Sequence, residues 1–147
     1  MRGARFAVRG ITIIVKISSH KDLEVWKKGV DFAQKIYEIT RDFPKDEIYG
    51  LSSQMRRSSV SISSNIAEGK NRGSVGDYVR FLYISIGSCA ELETQIEICK
   101  RLGYIDDKIE NDLAEMADHI SRMLTRLIQS LQLSARTAHR EPRTDQI

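Results

Sequence analysis

The sequence predicts an all-α protein, an antiparallel up-down-up-down four-helix bundle, and three observations carry that reading. Apolar residues recur at alternating three- and four-residue steps through four separate stretches, which is the helical period. Only two prolines occur, Pro44 and Pro142, so long uninterrupted helices are open to the chain. Ile, Leu, Ala and Met supply most of the apolar mass, while aromatics make up 7% of residues, a balance that suits helical packing rather than sheets. At 147 residues the chain is one domain's worth, and a domain of that size buries roughly 70% of its unfolded surface.

Residues 1–21 read as a basic N-terminal extension. Arg2, Arg5, Arg9, Lys16 and Lys21 stand there with no acid, a local charge of +5. The run Ile11-Thr12-Ile13-Ile14-Val15 resembles a weak signal peptide. Lys16 breaks it, no convincing cleavage site follows, and it falls far short of the ~20 residues of a membrane span. The segment is a flexible arm or an extended β segment, and a start codon assigned too far upstream is a further reading.

The bundle is expected over 22–133. Its first helix runs from about Asp22 to Asp42, with Leu23, Trp26, Val30, Ala33 and Tyr37 on one stripe and Val25, Phe32, Ile36 and Ile39 on the next. Two adjacent stripes make a wide buried face. Phe43-Pro44-Lys45 stops it, because the residue before proline is pushed out of helical geometry.

The second helix, about Tyr49 to Glu68, has the most unusual surface. Ser58, Ser59, Ser61, Ser63 and Ser64 are middling helix formers, so their concentration points to close helix packing rather than local propensity. A serine-rich loop is the plainer alternative, but Leu51, Met55, Ser59, Ile62 and Ile66 keep the helical step. Gly69 is expected to end this helix in the left-handed conformation, with Asn71-Arg72-Gly73 continuing the turn.

Ser74 starts the third helix, and Asp77 is placed to reach back in a variant of the capping box. Tyr78, Leu82, Ser85, Cys89, Leu92, Ile96 and Cys99 form a coiled-coil-like seam. Phe81, Ile84 and Ile98 lie on a neighbouring stripe, and Val79, Ile86 and Ala90 on another, so the helix should be central or should meet another subunit. Gly103 closes it. Asp106 is the expected N-cap of the fourth helix, about Asp107 to Leu133, whose seam is Ile109, Leu113, Met116, Ile120, Met123 and Leu127. Residues 134–147 read as a flexible tail.

Charge and cysteine usage bound the function. The formal charge is +3, but the extension holds +5 and the tail +1, so subtracting both leaves −3 for the body. Nucleic-acid binding must therefore rest on a local patch or on the ends. Cys89 and Cys99 are ten positions apart on one helix, about 15 Å along its axis, and cannot bridge. Both read as buried, reduced cysteines, which makes the cytoplasm the default location.

Catalytic signals are weak. His20, His119 and His139 are dispersed, and Glu115 and His119 are four apart, not the Glu-x-x-His spacing of di-iron bundles. They read as a solvated face. Gly69, Gly73 and Gly76 lack phosphate-loop spacing. Glu91, Glu93 and Glu97 read as structural carboxylates, with Glu97 four residues from Arg101 and Glu68 within reach of Arg72 or Arg80. No cofactor or metal is expected, and no enzymatic activity.

Basic residues supply the one binding hypothesis with a mechanism. Lys70, Arg72 and Arg80 should meet near one end of the bundle, while Arg56 and Arg57 lie about 18 Å away along the second helix. Contacts of such residues to phosphates give salt-sensitive affinity without sequence readout. No aromatic platform for base stacking is interleaved with them. The alternative is an ordinary solvated face with ion pairs. Lys27, Lys28, Lys100 and Arg101 are further candidates.

Four motifs appear in order: Phe43-Pro44, Gln54-Met55-Arg56-Arg57, Asn65-Ile66-Ala67-Glu68-Gly69 and Glu91-Leu92-Glu93-Thr94-Gln95. On these the chain, from about Leu23 to about Leu131, resembles the bacterial four-helix-bundle proteins encoded in intervening sequences of large-subunit ribosomal RNA genes, a ribosomal-protein-S23-like family. That family is more distantly similar to the accessory variability determinant proteins of diversity-generating retroelements, which form basic pentameric rings and bind nucleic acid and a reverse transcriptase. The resemblance implies a homo-oligomer, specifically a pentamer; the small-residue face of the second helix and the over-apolar third helix offer Ser58, Ser61, Asn65, Phe81 and Ile84 to hold helices or subunits together. The resemblance also favours a non-enzymatic accessory protein that contacts RNA or DNA, for which Arg56, Arg57, Lys70, Arg72 and Arg80 are the basic residues read from the sequence. The rival reading is a scaffold or adaptor that docks a protein partner, such as a reverse transcriptase-like enzyme, without nucleic acid. No membrane is involved in either.

Overall fold

Helices form where the periodic stretches lie. In this computed structural model, which describes residues 4–8, 11–15 and 19–140, they are α1 (Glu24–Thr40), α2 (Leu51–Lys70), α3 (Val75–Arg101) and α4 (Asp107–Ala138). Strands β1 (Ala4–Val8) and β2 (Ile11–Val15) precede them as an antiparallel hairpin, with Phe6 opposite Ile13. Of the two structural readings of the extension, the extended β segment is the one found.

Neighbouring helices meet in reverse chain order. Thr40 meets Arg56 while Gly29 lies against Ile62 and Ser63. Met55 meets Cys99 while Gly69 lies against Tyr78 and Phe81. Lys100 pairs with Asp107 and Glu110 across the last turn. The core is a continuous apolar cluster drawn from all four helices, including Phe32, Ile62, Leu82 and Leu124.

Helix boundaries follow local chemistry. Ser74 Oγ accepts from the Asp77 backbone N–H at 3.2 Å, but the Asp77 carboxylate turns to Arg80 rather than closing a capping box. Asp106 Oδ1 accepts from Ile109 N at 2.8 Å, as its cap position predicts. Gly103 has φ 75°, and Tyr104 N–H to Cys99 C=O with Gly103 N–H to Lys100 C=O completes a Schellman stop. Between α1 and α2, Lys45–Tyr49 forms a 3₁₀ turn where the sequence had suggested the helix already beginning at Tyr49. Glu47 ties it down: Oε2 accepts from Leu51 N at 2.8 Å, and Oε1 from the Tyr104 hydroxyl at 3.1 Å.

Gly69 corrects an expectation. It lies inside α2, which runs on to Lys70, and it is not in the left-handed region. Its role is contact. A Cβ there would sit 2.7 Å from Phe81 Cβ and 3.2 Å from the Tyr78 carbonyl oxygen, so glycine lets the end of α2 touch α3. A second correction concerns α4, which continues past Leu133 to Ala138 into the segment read as tail. The remainder of that tail, 141–147, lies outside the described residues.

The wide apolar face of α1 is only half used. Val25, Phe32 and Ile36 are buried, whereas Val30 and Tyr37 stay exposed. All seven positions of the α3 seam are buried. Yet α3 occupies a corner of the bundle, not its centre, so Tyr83, Ile84, Ile98 and Leu102 face outward. Ile84 therefore makes no core contribution within one chain, whereas Phe81 is buried.

Serines of α2 pack as the sequence suggests. Ser58, Ser59 and Ser63 are buried. Ser58 Oγ donates to Gln54 C=O at 2.9 Å, and Ser61 Oγ lies 2.9 Å from Ser88 Oγ of α3. Asn65 Nδ2 donates to Ser61 C=O at 2.8 Å and to its Oγ at 3.0 Å. From the other side, Ser85 Oγ donates to Ile62 C=O at 2.8 Å. Small hydroxyl groups thus bond within α2 or across to α3, Ser63 Oγ alone among them being buried without a partner, and leave room for close helices.

Cys89 and Cys99 are free and fully buried. Burial pushes the Cys89 thiol up to about 11 and the Cys99 thiol up to about 12, from an ordinary 9.0. Each folded thiol keeps its proton after the unfolded chain has lost one. Stability is therefore unaffected well below pH 9 and falls from there through about 11 and about 12. Urea melts at about pH 8 and about pH 10 should differ by on the order of 1 kcal/mol per thiol, with a smaller difference in Cys99→Ala.

Among the described residues no helix is long and apolar enough to cross a membrane, and no group of three or more His, Cys, Asp or Glu is arranged to hold a metal.

Candidate nucleic-acid interface

The end of the bundle at the α2–α3 turn gathers three of the five predicted basic residues. Gly69 brings Tyr78 and Phe81 against the last turn of α2, and the cations that flank it settle on those two rings. Lys70 Nζ lies 5.8 Å from the Tyr78 ring centre. The guanidinium of Arg72 lies 5.0 Å from the Phe81 ring centre and that of Arg80 4.7 Å from the same point. The rings are buried, so they present no platform for a base, but they do hold cations at the surface. Tyr78 and Phe81 are the aromatic partners that the sequence reading missed. The signal was their three-residue spacing on adjacent stripes in the first turns of the third helix.

Each arginine also has a carboxylate one turn away. Arg72 Nη2 meets Glu68 Oε1 at 2.7 Å, and Arg80 Nε lies 3.7 Å from Asp77 Oδ1. All four side chains are about half exposed, so these pairs are worth less than about 1 kcal/mol each. Gly73 and Gly76 have open space around them, leaving this end accessible.

Arg56 and Arg57 are not part of that cluster. Arg56 is half-buried, with Nε donating to Thr40 Oγ1 at 2.9 Å and its guanidinium 4.8 Å from the Tyr37 ring centre. It braces α1 against α2. Arg57 is exposed and lines a polar notch with Gln54, Ser61 and Glu91. At the far end of α3, Glu97 accepts from Arg101 Nε at 2.8 Å, and this hydrogen bond holds the Glu97 carboxyl below its usual range.

The three histidines remain apart. His20 Nδ1 lies 3.2 Å from Asn71 Nδ2, which brings the base of the N-terminal extension to the α2–α3 turn. His139 caps the end of α4. Glu115 and His119 do not face open solvent alone: with Lys28, Asp31, Lys35 and Asp112 they line an open α1–α4 groove of ≈ 550 Å³.

The sequence profile described as 23S rRNA-intervening sequence protein matches residues 21–126, most of the bundle and none of the hairpin. The chain belongs to the 23S rRNA-intervening sequence protein family. A crystal structure from the same structural class is that of a protein with unknown function from the S23 ribosomal protein family of Bacteroides thetaiotaomicron VPI-5482. It is 26% identical, with a TM-score of 0.64 over 71% of this chain and 97% of that one. No curated protein sequence matches. Within the family frame, the motif Asn65-Ile66-Ala67-Glu68-Gly69 acquires a physical meaning here. Asn65 holds Ser61, Ile66 is in the core, Glu68 holds Arg72, and Gly69 seats α3.

Proposed function

We propose that the protein is a non-enzymatic, oligomeric accessory protein that binds RNA or DNA phosphates through the basic end at the α2–α3 turn. The observation that carries the reading is the convergence of Lys70, Arg72 and Arg80 on Tyr78 and Phe81 in a bundle whose net charge is otherwise negative. Such a site reads charge, not sequence. Copies in a ring multiply a weak patch. The outward apolar stripe of α3 and the groove between α1 and α2, lined by Trp26, Val30, Ala33 and Val60, are two different surfaces. A contact between unlike surfaces closes into a ring when its rotation allows, in keeping with the pentamer that the resemblance implies. Two free buried cysteines accord with a cytoplasmic location.

A second reading has an observation of its own. Tyr37, Ile48, Tyr49 and Val60 are exposed around the α1–α2 side, an apolar surface suited to a protein partner such as a reverse transcriptase-like enzyme. On that reading the chain is a scaffold or adaptor and the basic end is incidental.

Binding of the full chain to structured RNA and duplex DNA across a salt series, with the oligomer mass measured alongside, separates the two. For duplex DNA the slope of log K against log salt should flatten by roughly 2 to 3 in Lys70→Ala/Arg72→Ala/Arg80→Ala, and by no more than about 1 in Arg57→Ala. An intact oligomer that binds neither polymer at low salt would sink the phosphate-binding reading in favour of the adaptor.

A further inference from the structure

The arginines at the α2–α3 turn are not free cations waiting for a ligand. We propose that Glu68 and Asp77 are built-in competitors for the phosphates that Arg72 and Arg80 bind, and that Phe81 is the positioning residue that holds both guanidiniums. The inference rests on the phosphate-binding reading and adds to it a regulating element.

The geometry has three parts. Phe81 is buried, with its Cβ fixed against Gly69, so its ring cannot follow a moving cation. The two guanidinium centres lie 5.0 and 4.7 Å from one ring centre, so they are no more than 9.7 Å apart and form a two-pronged clamp. A guanidinium that rests on an aromatic face keeps its N–H edge for an anion, and carboxylate and phosphate oxygens compete for the same donors. In the free protein Glu68 takes part of the Arg72 edge through a 2.7 Å hydrogen bond, while Asp77, 3.7 Å from Arg80 Nε, opposes that charge without a hydrogen bond. Both come from the same surface and need only a rotamer change to leave. The clamp is thus set but partly neutralised, which lowers its grip on any polyanion and makes binding depend on several copies acting together.

Placement separates this from an ordinary pair of helix-surface ion pairs. Glu97–Arg101 on α3 has the same chemistry and a 2.8 Å contact, yet among the described residues its guanidinium rests on no aromatic ring and shares none with a second arginine. It lies about 30 Å along the helix from Arg80, beyond the roughly 10 Å over which charge acts at about 0.1 M salt.

The test is binding of full-length Glu68→Gln/Asp77→Asn to labelled duplex DNA and a labelled RNA hairpin at about 0.1 M salt, with Glu97→Gln as the charge control. The double variant should bind roughly ten-fold tighter, and the control should match the wild type. Phe81→Leu keeps every charge and the Cβ contact, and should bind roughly five-fold more weakly while its melting curve reports whether it is folded. Wild-type binding that the double variant leaves unchanged, or that Glu97→Gln raises equally, overturns the inference alone. Absence of wild-type binding at low salt overturns the phosphate-binding reading and the inference with it.

Discussion

Gly69→Val should destabilise the protein by about 3 kcal/mol, and Gly69→Ala by about 1 kcal/mol, although both residues that replace glycine are better helix formers or its equal. Gly69 sits in the last turn of α2, and its missing Cβ is what allows α3 to approach. The atoms that a Cβ would meet are Phe81 Cβ at 2.7 Å, Tyr78 Cδ2 at 3.0 Å and Tyr78 O at 3.2 Å. Two of these are fixed to the α3 backbone, so relief requires the helices to move apart. Cores resist such overpacking at about 1–3 kcal/mol, and alanine recovers up to about 1 kcal/mol through helix propensity. Thermal or urea melts read the effect directly. Gly29→Ala is the contrasting variant. There the Cβ would overlap only Ser63 Oγ, a terminal atom with no hydrogen-bond partner, which can rotate away. That variant should be neutral within about 1 kcal/mol. Equal losses at the two glycines would mean that α1 and α3 tolerate displacement alike, and would remove the special role of Gly69. The same Gly69→Val protein should also bind polyanions more weakly, since Tyr78 and Phe81 would no longer hold Lys70, Arg72 and Arg80.

Ser85→Leu should be comparably damaging, at about 3 kcal/mol, while Ser85→Ala should cost about 1 kcal/mol. Ser85 is fully buried between α2 and α3, and its hydroxyl donates to the Ile62 carbonyl at 2.8 Å. Alanine removes one bond and leaves a small void. Leucine must fit a branched side chain against the Ile62 backbone, at a position where Ser85 itself has no exposed surface. In a chain of this size each kcal/mol moves the melting temperature by roughly 2–4 °C, so the leucine variant should melt about 10 °C lower. A leucine variant as stable as wild type would show that the serine face of α2 is not closely packed. It would return the serines to the status of a sequence peculiarity.

Both predictions concern one interface, and the functional reading depends on it. The α2–α3 contact sets how close Phe81 lies to the end of α2, and hence where Arg72 of the connecting turn and Arg80 of α3 can share a ring. Packing in the small-residue face is therefore coupled to the electrostatics of the basic end. Stability and polyanion affinity should fall together in variants of Gly69 and Ser85, whereas Glu68→Gln/Asp77→Asn should change affinity while leaving stability within about 1 kcal/mol.

Period and punctuation were legible without coordinates, because helical geometry acts over a few residues. The four stretches, the seven-position α3 seam, the Gly103 stop and the Asp106 cap all follow from chemistry within one or two turns. The Glu68–Arg72 and Glu97–Arg101 pairs follow from four-residue spacing in the same way. Family membership was readable from motifs spread over α2, α3 and the α1–α2 connection, since those motifs are strings of residues.

What the sequence could not assign depended on a second helix. Gly69 looks like a helix stop because Gly next to a polar turn usually is one; only the approach of α3 makes it an interior contact. Arg56 looks as available as Arg57, but Thr40 and Tyr37, more than a dozen residues earlier, claim it. The two stripes of α1 are equally apolar, and the placement of α2 and α4 decides that Phe32 is buried while Tyr37 is exposed. The sequence by itself determined which segments are helical and which charges pair within a turn. The tertiary structure alone decided which side chains from different helices meet, because distances between helices are set by the whole core and not by any local string of residues.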